Sequence, residues 1–565
     1  MDLHIPRSIG RAFIKEYQKH QAVTLDSYTH SEERCFDSEE FSDEQMAILR
    51  ALVRDEIGAD TSPPNSKYRK SLKELFRELD GILNLAEWAD KETVPPKATF
   101  RQLQSVWDAY VKRVAARGWV VAVKGASSEC GAWLYMGSRY HEKERSQYGT
   151  TPEHWTIETA RLFRGRVTKS SHTVWSHHVM DRKTFADVAK SLDMIPASEA
   201  FVVEYDDWKL RYEKHRLLIG EQYLGMDGKA QVFSTHWRDR NGDDEECSSL
   251  DHKSTDLSSG GRPTRLVVDD DVSFAQENRD ARIPSEYEDA EMPNAMAIRC
   301  FSLDHHVALA VHIRHLTPYA YDAKVVDKLI IPGEVKTLVH TLLKSSLDGT
   351  SSMTDVVRNK MGGTTILSHG PPGTGKTLTA EVFSETMKRP LYVVQCSQLG
   401  LNPDEIETQL NRVLRRAEKW KAILLLDEAD VYVMKRGANI EQNAIVGVFL
   451  RVMEYFDGIL VLTTNRGECV DDAIRSRCIA EIPYTIPLEA ERPKLWHLLC
   501  THYGLKPSQV ECAALAKKFP DFSGRDIKQL ARLVRVNAIG ATGKALIAAF
   551  TTFSKFKPCS TKHDE

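Results

Sequence analysis

The C-terminal half of this 565-residue chain predicts an α/β fold in which short apolar strands alternate with amphipathic helices. Three observations carry that prediction. Thr364-Thr365-Ile366-Leu367 leads into a glycine-rich loop, Gly370 to Thr377, and then into a helix-forming stretch from Leu378 to Met387. Ala422 to Leu426 is an apolar run ending in Asp427-Glu428, and Ile459 to Leu462 is another, ending in Thr463-Thr464-Asn465. The N-terminal half predicts an α+β region followed by a β-rich one.

A chain of this length exceeds what one hydrophobic core serves, so about two to four domains are expected. A net charge of −4, with 28% charged and 42% hydrophobic residues, describes a water-soluble globular protein and gives no basic excess for gripping a nucleic-acid backbone. The segment Met1 to Arg7 lacks the apolar core of a secretory signal, and no apolar run reaches about 18 residues, so a cytoplasmic protein is expected. The ten cysteines form no C-x-x-C pair and read as reduced structural thiols.

In chain order, residues 1–183 read as a mixed helical region. Leu72, Leu75, Phe76, Leu79, Ile82 and Leu83 recur at helical spacing between Ser66 and Ala89, and Leu103, Val106, Trp107, Tyr110, Val111 and Val114 do so between Phe100 and Arg117. Eight of the ten tryptophans precede residue 238, which calls for a packed core there. Residues 184–318 read as β-rich, with strands over Glu199–Tyr205, Thr264–Val268 and His306–Ile313. Residues 238–263 are too polar to pack and read as an exposed, mobile loop, and Asp269-Asp270-Asp271 as a solvated charge run.

Tyr319 to Pro332 then leads through a helix at Val335 to Leu343 to the glycine-rich loop, which reads G-x-x-x-x-G-K-T. Gly370, Gly373 and Gly375 allow positive φ and bring backbone N–H groups onto phosphate oxygens; Pro371, Pro372 and Thr374 complete the turn, and Leu378 opens a helix whose positive end faces the phosphates. Lys376 reaches the β- and γ-phosphates, and the Thr377 hydroxyl joins a Mg²⁺ shell. ATP and Mg²⁺ are therefore the expected ligands. Leu391 to Val394 is a further strand, followed by a helix started by Asn402-Pro403-Asp404-Glu405. Asp427 is expected to hold Mg²⁺ or its water, Glu428 to deprotonate the attacking water, and Asn465 to touch that water or the γ-phosphate.

Together with Asp472-Ala473-Ile474-Arg475-Ser476-Arg477, these motifs stand in an order and spacing that resembles the AAA ATPase module, over about Tyr321 to Thr542. More narrowly, His369 to Glu381, Val448-Phe449-Leu450-Arg451, Gly458-Ile459-Leu460 and Thr463 to Arg466 resemble a fungal-type group of single-module AAA proteins with a long N-terminal region. The resemblance implies a P-loop NTPase fold: a five-stranded parallel sheet flanked by helices in residues 319–487, then a helical lid and tail in 488–565. It also implies a homo-oligomeric ring, hexameric by preference, with nucleotide at subunit boundaries. Arg477 would then be the finger reaching a neighbour's γ-phosphate, Arg475 the alternative, and a structural salt bridge the plain reading of either. Arg525, in Ser523-Gly524-Arg525-Asp526, would be a second sensor in the lid.

Two departures qualify the resemblance. Gln398 to Pro403 lacks the aromatic that protein-threading members place in this loop, leaving Leu399 and Leu401 as weak grips, and there is one ATPase module instead of two. Asp427-Glu428-Ala429-Asp430 also spells a helicase motif, but the chain beyond it is too short for the second domain a DEAD-type helicase needs. A nucleotide-gated scaffold with slow hydrolysis is the other alternative. The reading is a Mg²⁺-dependent ATP hydrolase that moves its N-terminal half against a macromolecular partner, protein in preference to nucleic acid.

Overall fold

Among the described residues two large antiparallel sheets precede one parallel sheet in the chain, and two two-stranded antiparallel pairs accompany them. The computed structural model describes residues 2–6, 9, 12–13, 33–37, 43–59, 66–83, 94, 99–122, 131–146, 149–163, 166–226, 228–233, 250–259, 261–270, 290–347, 363–400, 402–437, 439–537 and 543–556.

The first sheet has five strands in the order Arg166–Trp175, His154–Phe163, Gly131–His141, Trp119–Ala122 and Met194–Pro196. The helix Phe100–Val114 packs on it. Thr99 and Gln102 form a reciprocal cap that starts this helix, and Trp107, Tyr110 and Val111 then fall on the face buried against Trp155 and Phe185. The expected helix between Ser66 and Ala89 is found at Lys67–Leu83, and residues 84–89 lie outside the described ones. Residues 1–183 thus hold more strand than the helical spacing suggested.

The second sheet has eight strands, all within residues 222–318. Here the structure corrects three expectations. Glu199–Tyr205 is not a strand but the start of the helix Glu199–His215. The Ser198 side chain caps it by accepting from Phe201 N, and Val202, Tyr205, Trp208 and Tyr212 are buried at intervals of three and four, so tertiary burial at helical period overrides β-type composition. Within 238–263, the expected loop, Leu250–Asp256 pairs with Lys229–Phe233, and Arg262–Val268 is an inner strand. Backbone pairing at a sheet edge needs little apolar side chain, which is why composition missed it; residues 238–249 lie outside the described ones. Finally, Asp269 and Asp270 are buried at 4% and 5% exposure, not solvated.

Asp269 is buried because the nucleotide module packs on it. Trp420 Nε1 donates to Asp269 Oδ1 at 3.0 Å, and Lys419 Nζ reaches the same oxygen at 2.7 Å. Val267, Phe301 and Leu303 of the second sheet share one apolar cluster with Tyr392 and Trp420, and the Arg416 guanidinium lies 4.5 Å from the centre of the Phe301 ring.

The module itself holds five parallel strands: β1 (Thr364–His369), β2 (Leu391–Gln395), β3 (Ile423–Asp427), β4 (Ile459–Thr464) and β5 (Ala480–Pro483). Their spatial order is β2-β3-β4-β1-β5. Helix α1 (Lys376–Met387) follows β1, α2 (Pro403–Lys419) follows β2, and α3 (Ile440–Met453) precedes β4. In register, His369 stands beside Thr464 and Leu426 beside Leu462, so the polar tips of β1, β3 and β4 emerge at one edge. The lid comprises the helices Arg492–His502, Gln509–Lys518 and Gly524–Asn537, with Gly543–Ser554 adding Leu546 and Phe550 to a core around Trp496. Among the described residues no helix is long and apolar enough to cross a membrane.

Gly220, just before the second sheet, sits against the module: φ is +87°, and a Cβ there would lie 2.7 Å from the Trp420 carbonyl oxygen. Gly220→Ala combines left-handed strain with that clash and is expected to destabilise the junction by about 2 kcal/mol or more. Urea unfolding with a limited-proteolysis readout checks this; an unchanged midpoint would count against a tight junction.

Candidate functional site

The glycine-rich loop needs its three glycines for three different reasons. At Gly370 (φ +140°) a Cβ would lie 2.0 Å from the Tyr484 carbonyl oxygen, so the chain after β5 presses directly on the loop. At Gly373 (φ +79°) a Cβ would lie 2.6 Å from Arg525 Cβ and 2.8 Å from Ser523 Oγ, and Arg525 N donates to Gly373 O at 3.3 Å; the loop tip touches the start of the last long lid helix. At Gly375 (φ +104°) nothing lies within 4 Å of such a Cβ. That open face is where a ligand can meet the backbone. Thr374 Oγ1 donates to Pro371 O at 2.8 Å and braces the turn, whereas Pro371, Pro372 and Leu378 expose their side chains and would contribute backbone only.

Lys376 opens α1 and turns back over the loop. Its Nζ donates to Gly370 O at 2.7 Å, Pro371 O at 2.8 Å and Asn465 Oδ1 at 2.8 Å. Burial lowers its pKa from the usual lysine value, and the Asp427, Asp430 and Glu428 carboxylates oppose that shift. A cation held by neutral oxygens in this way can exchange them for phosphate oxygens with little rearrangement.

At the tip of β3, Asp427 Oδ1 accepts from Thr377 Oγ1 at 3.0 Å and from Thr463 Oγ1 at 2.6 Å. Glu428 adopts φ +56°, a left-handed conformation that costs a non-glycine residue about 1–2 kcal/mol, and its carboxylate is exposed. Its N–H donates to Thr463 Oγ1 at 3.1 Å. Asp430 accepts from the Thr464 hydroxyl and, at 3.2 Å, from Asn465 N, so the tip of β4 is tied to the acidic turn at two points. Lys376, Thr377, Asp427 and Asn465 are thereby brought together, with the Glu428 backbone beside them. Sequence reasoning overlooked Thr463, Asp430 and Tyr484; the first two lay inside quoted motifs, but Tyr484 has no local signal.

The arginines separate. Arg475 is tied to Glu481 and to Gly467 O, and Glu481 also lies 3.2 Å from His369 Nε2. Arg477 is exposed and leans on Ala473 O at 3.2 Å and Glu454 at 3.7 Å, neither of them a loop residue. Arg525 is exposed at its helix start, with its charge close enough to depress Lys376 further. Cys396, at the end of β2, donates to Asp427 O at 3.6 Å, and its thiol is pushed up to about 12 by burial and then by the nearby acids, which leaves it protonated and inert. Leu399 is 1% exposed and fills the core under α2, which removes it as a substrate grip; Leu401 lies outside the described residues.

This donor set fits a nucleoside triphosphate with magnesium. Thr377 and Asp427 offer the hard oxygens that such a cation takes. Fold and site define a P-loop nucleotide-binding module. Residues 366–485 match the family described as ATPase family associated with various cellular activities (AAA). Residues 366–485 are thus an AAA ATPase domain, and the chain carries an extra region on its N-terminal side.

A protein of Methanocaldococcus jannaschii named as a 26S proteasome regulatory subunit homolog is 30% identical over 173 residues, 29% of this chain and 46% of that one. The ATPase histone chaperone abo1 of Schizosaccharomyces pombe is 29% identical over 192 residues, 31% of this chain and 16% of that one. The Drosophila melanogaster homolog of ATPase family AAA domain-containing protein 3A is 28% identical over 186 residues, 29% of this chain and 31% of that one. The chain therefore spans less than half the length of these relatives.

Gly373→Ala would force the loop tip away from Ser523 and Arg525. It is expected to weaken ATP binding at least about tenfold with the fold intact, by calorimetric titration. Unchanged affinity would mean that the lid gives way instead.

Proposed function

We propose that this chain hydrolyses ATP with Mg²⁺ and turns hydrolysis into movement of its N-terminal region against a protein partner. The single observation that supports this best is the convergence of a phosphate-binding loop, an acid pair and an amide at one sheet edge: Thr377 to Asp427 at 3.0 Å and Lys376 to Asn465 at 2.8 Å. The loop N–H groups and Lys376 bind and orient the triphosphate. Thr377 and Asp427 would hold Mg²⁺, which supplies charge neutralisation on the phosphates when bound. The Glu428 carboxylate accepts a proton from the attacking water, and the Asn465 side chain orients that water or the γ-phosphate.

The AAA relatives also support assembly. We propose a homo-oligomeric ring, with six subunits favoured, in which Arg477 acts on a neighbour's nucleotide. Exposure suits Arg477 to that role, whereas Arg475 is committed to Glu481 within its own subunit. Arg525, at the contact between loop and lid, would report nucleotide state to the lid. Core burial of Leu399 weighs against gripping a polypeptide at that position, so the partner is assigned to the N-terminal sheets.

Glu428→Gln is expected to retain ATP binding and lower phosphate release at least about a hundredfold. Release at the wild-type rate would reject the assignment. Arg477→Ala subunits mixed with Glu428→Gln subunits are expected to regain part of the activity, measured across mixing ratios in rings shown to be mixed. Absence of any recovery would place the finger elsewhere.

A further inference from the structure

We infer that Thr463 is a positioning residue for hydrolysis, its hydroxyl setting Asp427 and Glu428 in their working arrangement. The inference rests on Glu428 being the base. Thr463 is 1% exposed, on a strand flanked on both sides, so its hydroxyl has no access to bulk water and must be satisfied within the protein. It is satisfied by both acids at once. The hydroxyl donates its proton to Asp427 Oδ1 at 2.6 Å, the oxygen that also takes the Thr377 hydroxyl, and a lone pair accepts from Glu428 N at 3.1 Å. The proton is used on one acid and the lone pair on the other.

The backbone explains why such a group is needed. Register pairing of β3 with β4 ends at Leu426 beside Leu462, one residue before the acids; on the other side Asp427 still pairs with Gln395 of β2, and Glu428 lies beyond both ladders. Past that point Glu428 turns to φ +56°, and the chain returns when Ala429 N donates to Thr463 O at 2.9 Å. Thr463 therefore holds both ends of the left-handed residue, the N–H by its hydroxyl and the following N–H by its carbonyl. Valine would keep the shape and the carbonyl but leave Glu428 N and one lone pair of Asp427 without a partner. A serine keeps every polar atom.

The test uses the full chain with Thr463→Val and Thr463→Ser, each alone and combined with Glu428→Gln, measuring steady-state kcat and KM, equilibrium ATP affinity and melting temperature. Thr463→Val is expected to lower kcat about 10- to 100-fold, with ATP affinity within about threefold of wild type and little change in melting. Thr463→Ser is expected to restore at least about half the rate, and in the Glu428→Gln background the valine change is expected to cost little more. The inference is overturned if Thr463→Val stays within twofold of wild-type kcat, if Thr463→Ser is as slow as the valine variant, or if the valine effect persists at full size without Glu428. Should Thr463→Val melt early, Thr463→Ala against Thr463→Ser gives the same comparison. An active Glu428→Gln enzyme sinks the underlying assignment, whereas an inactive one beside a fully active Thr463→Val sinks this inference alone.

Discussion

The parallel register of β1, β3 and β4 is the constraint on which the site depends. Because His369 is level with Thr464, and Leu426 with Leu462, three chain segments reach the same edge with their polar tips aligned. The apolar residues behind those tips, such as Leu367, Leu424 and Leu462, are fully buried and leave no freedom to slide. A slip by one residue would reverse every side chain on the strand and send Asp427 to the far face. The geometry of the site is thus inherited from core packing, with side-chain bonds making the final adjustment.

Those final bonds form a continuous network. Asn465 is anchored through its N–H on Asp430 and offers its side-chain oxygen to Lys376, which in turn holds two loop carbonyls. Gly373 at the loop tip meets Ser523 and Arg525 of the lid. A change in what Lys376 binds can therefore reach both the tip of β4 and the lid through contacts of about 3 Å.

Legibility in the sequence followed from how local the physics is. The phosphate loop was readable because glycine, lysine and threonine at fixed spacing are a local demand, and β3 and β4 because buried parallel strands need continuous apolar runs. Helix Glu199–His215 was not, since Phe201, Val202, Val203 and Tyr205 favour strands by type, and the burial of Trp208 and Tyr212 decides the period only in context. Asp269 was illegible for a different reason: its indole partner lies 151 residues away, and an acidic triplet carries no mark of what will cover it. Thr463 and Asp430 were in view as motif letters, but a hydroxyl's two-sided bonding appears only in three dimensions.

The aromatic junction at Phe301, Tyr392 and Trp420 has a consequence for autonomy. The ATPase module carries on its flank a surface that only the preceding sheet can keep dry, and that sheet carries an aspartate that only the module can neutralise. Cut between residues 318 and 319, each piece would display what the other was shaped to hide: bare aromatic rings on one side, a stranded carboxylate on the other. The preceding sheet is therefore no detachable accessory of the module, since each completes the other's buried surface.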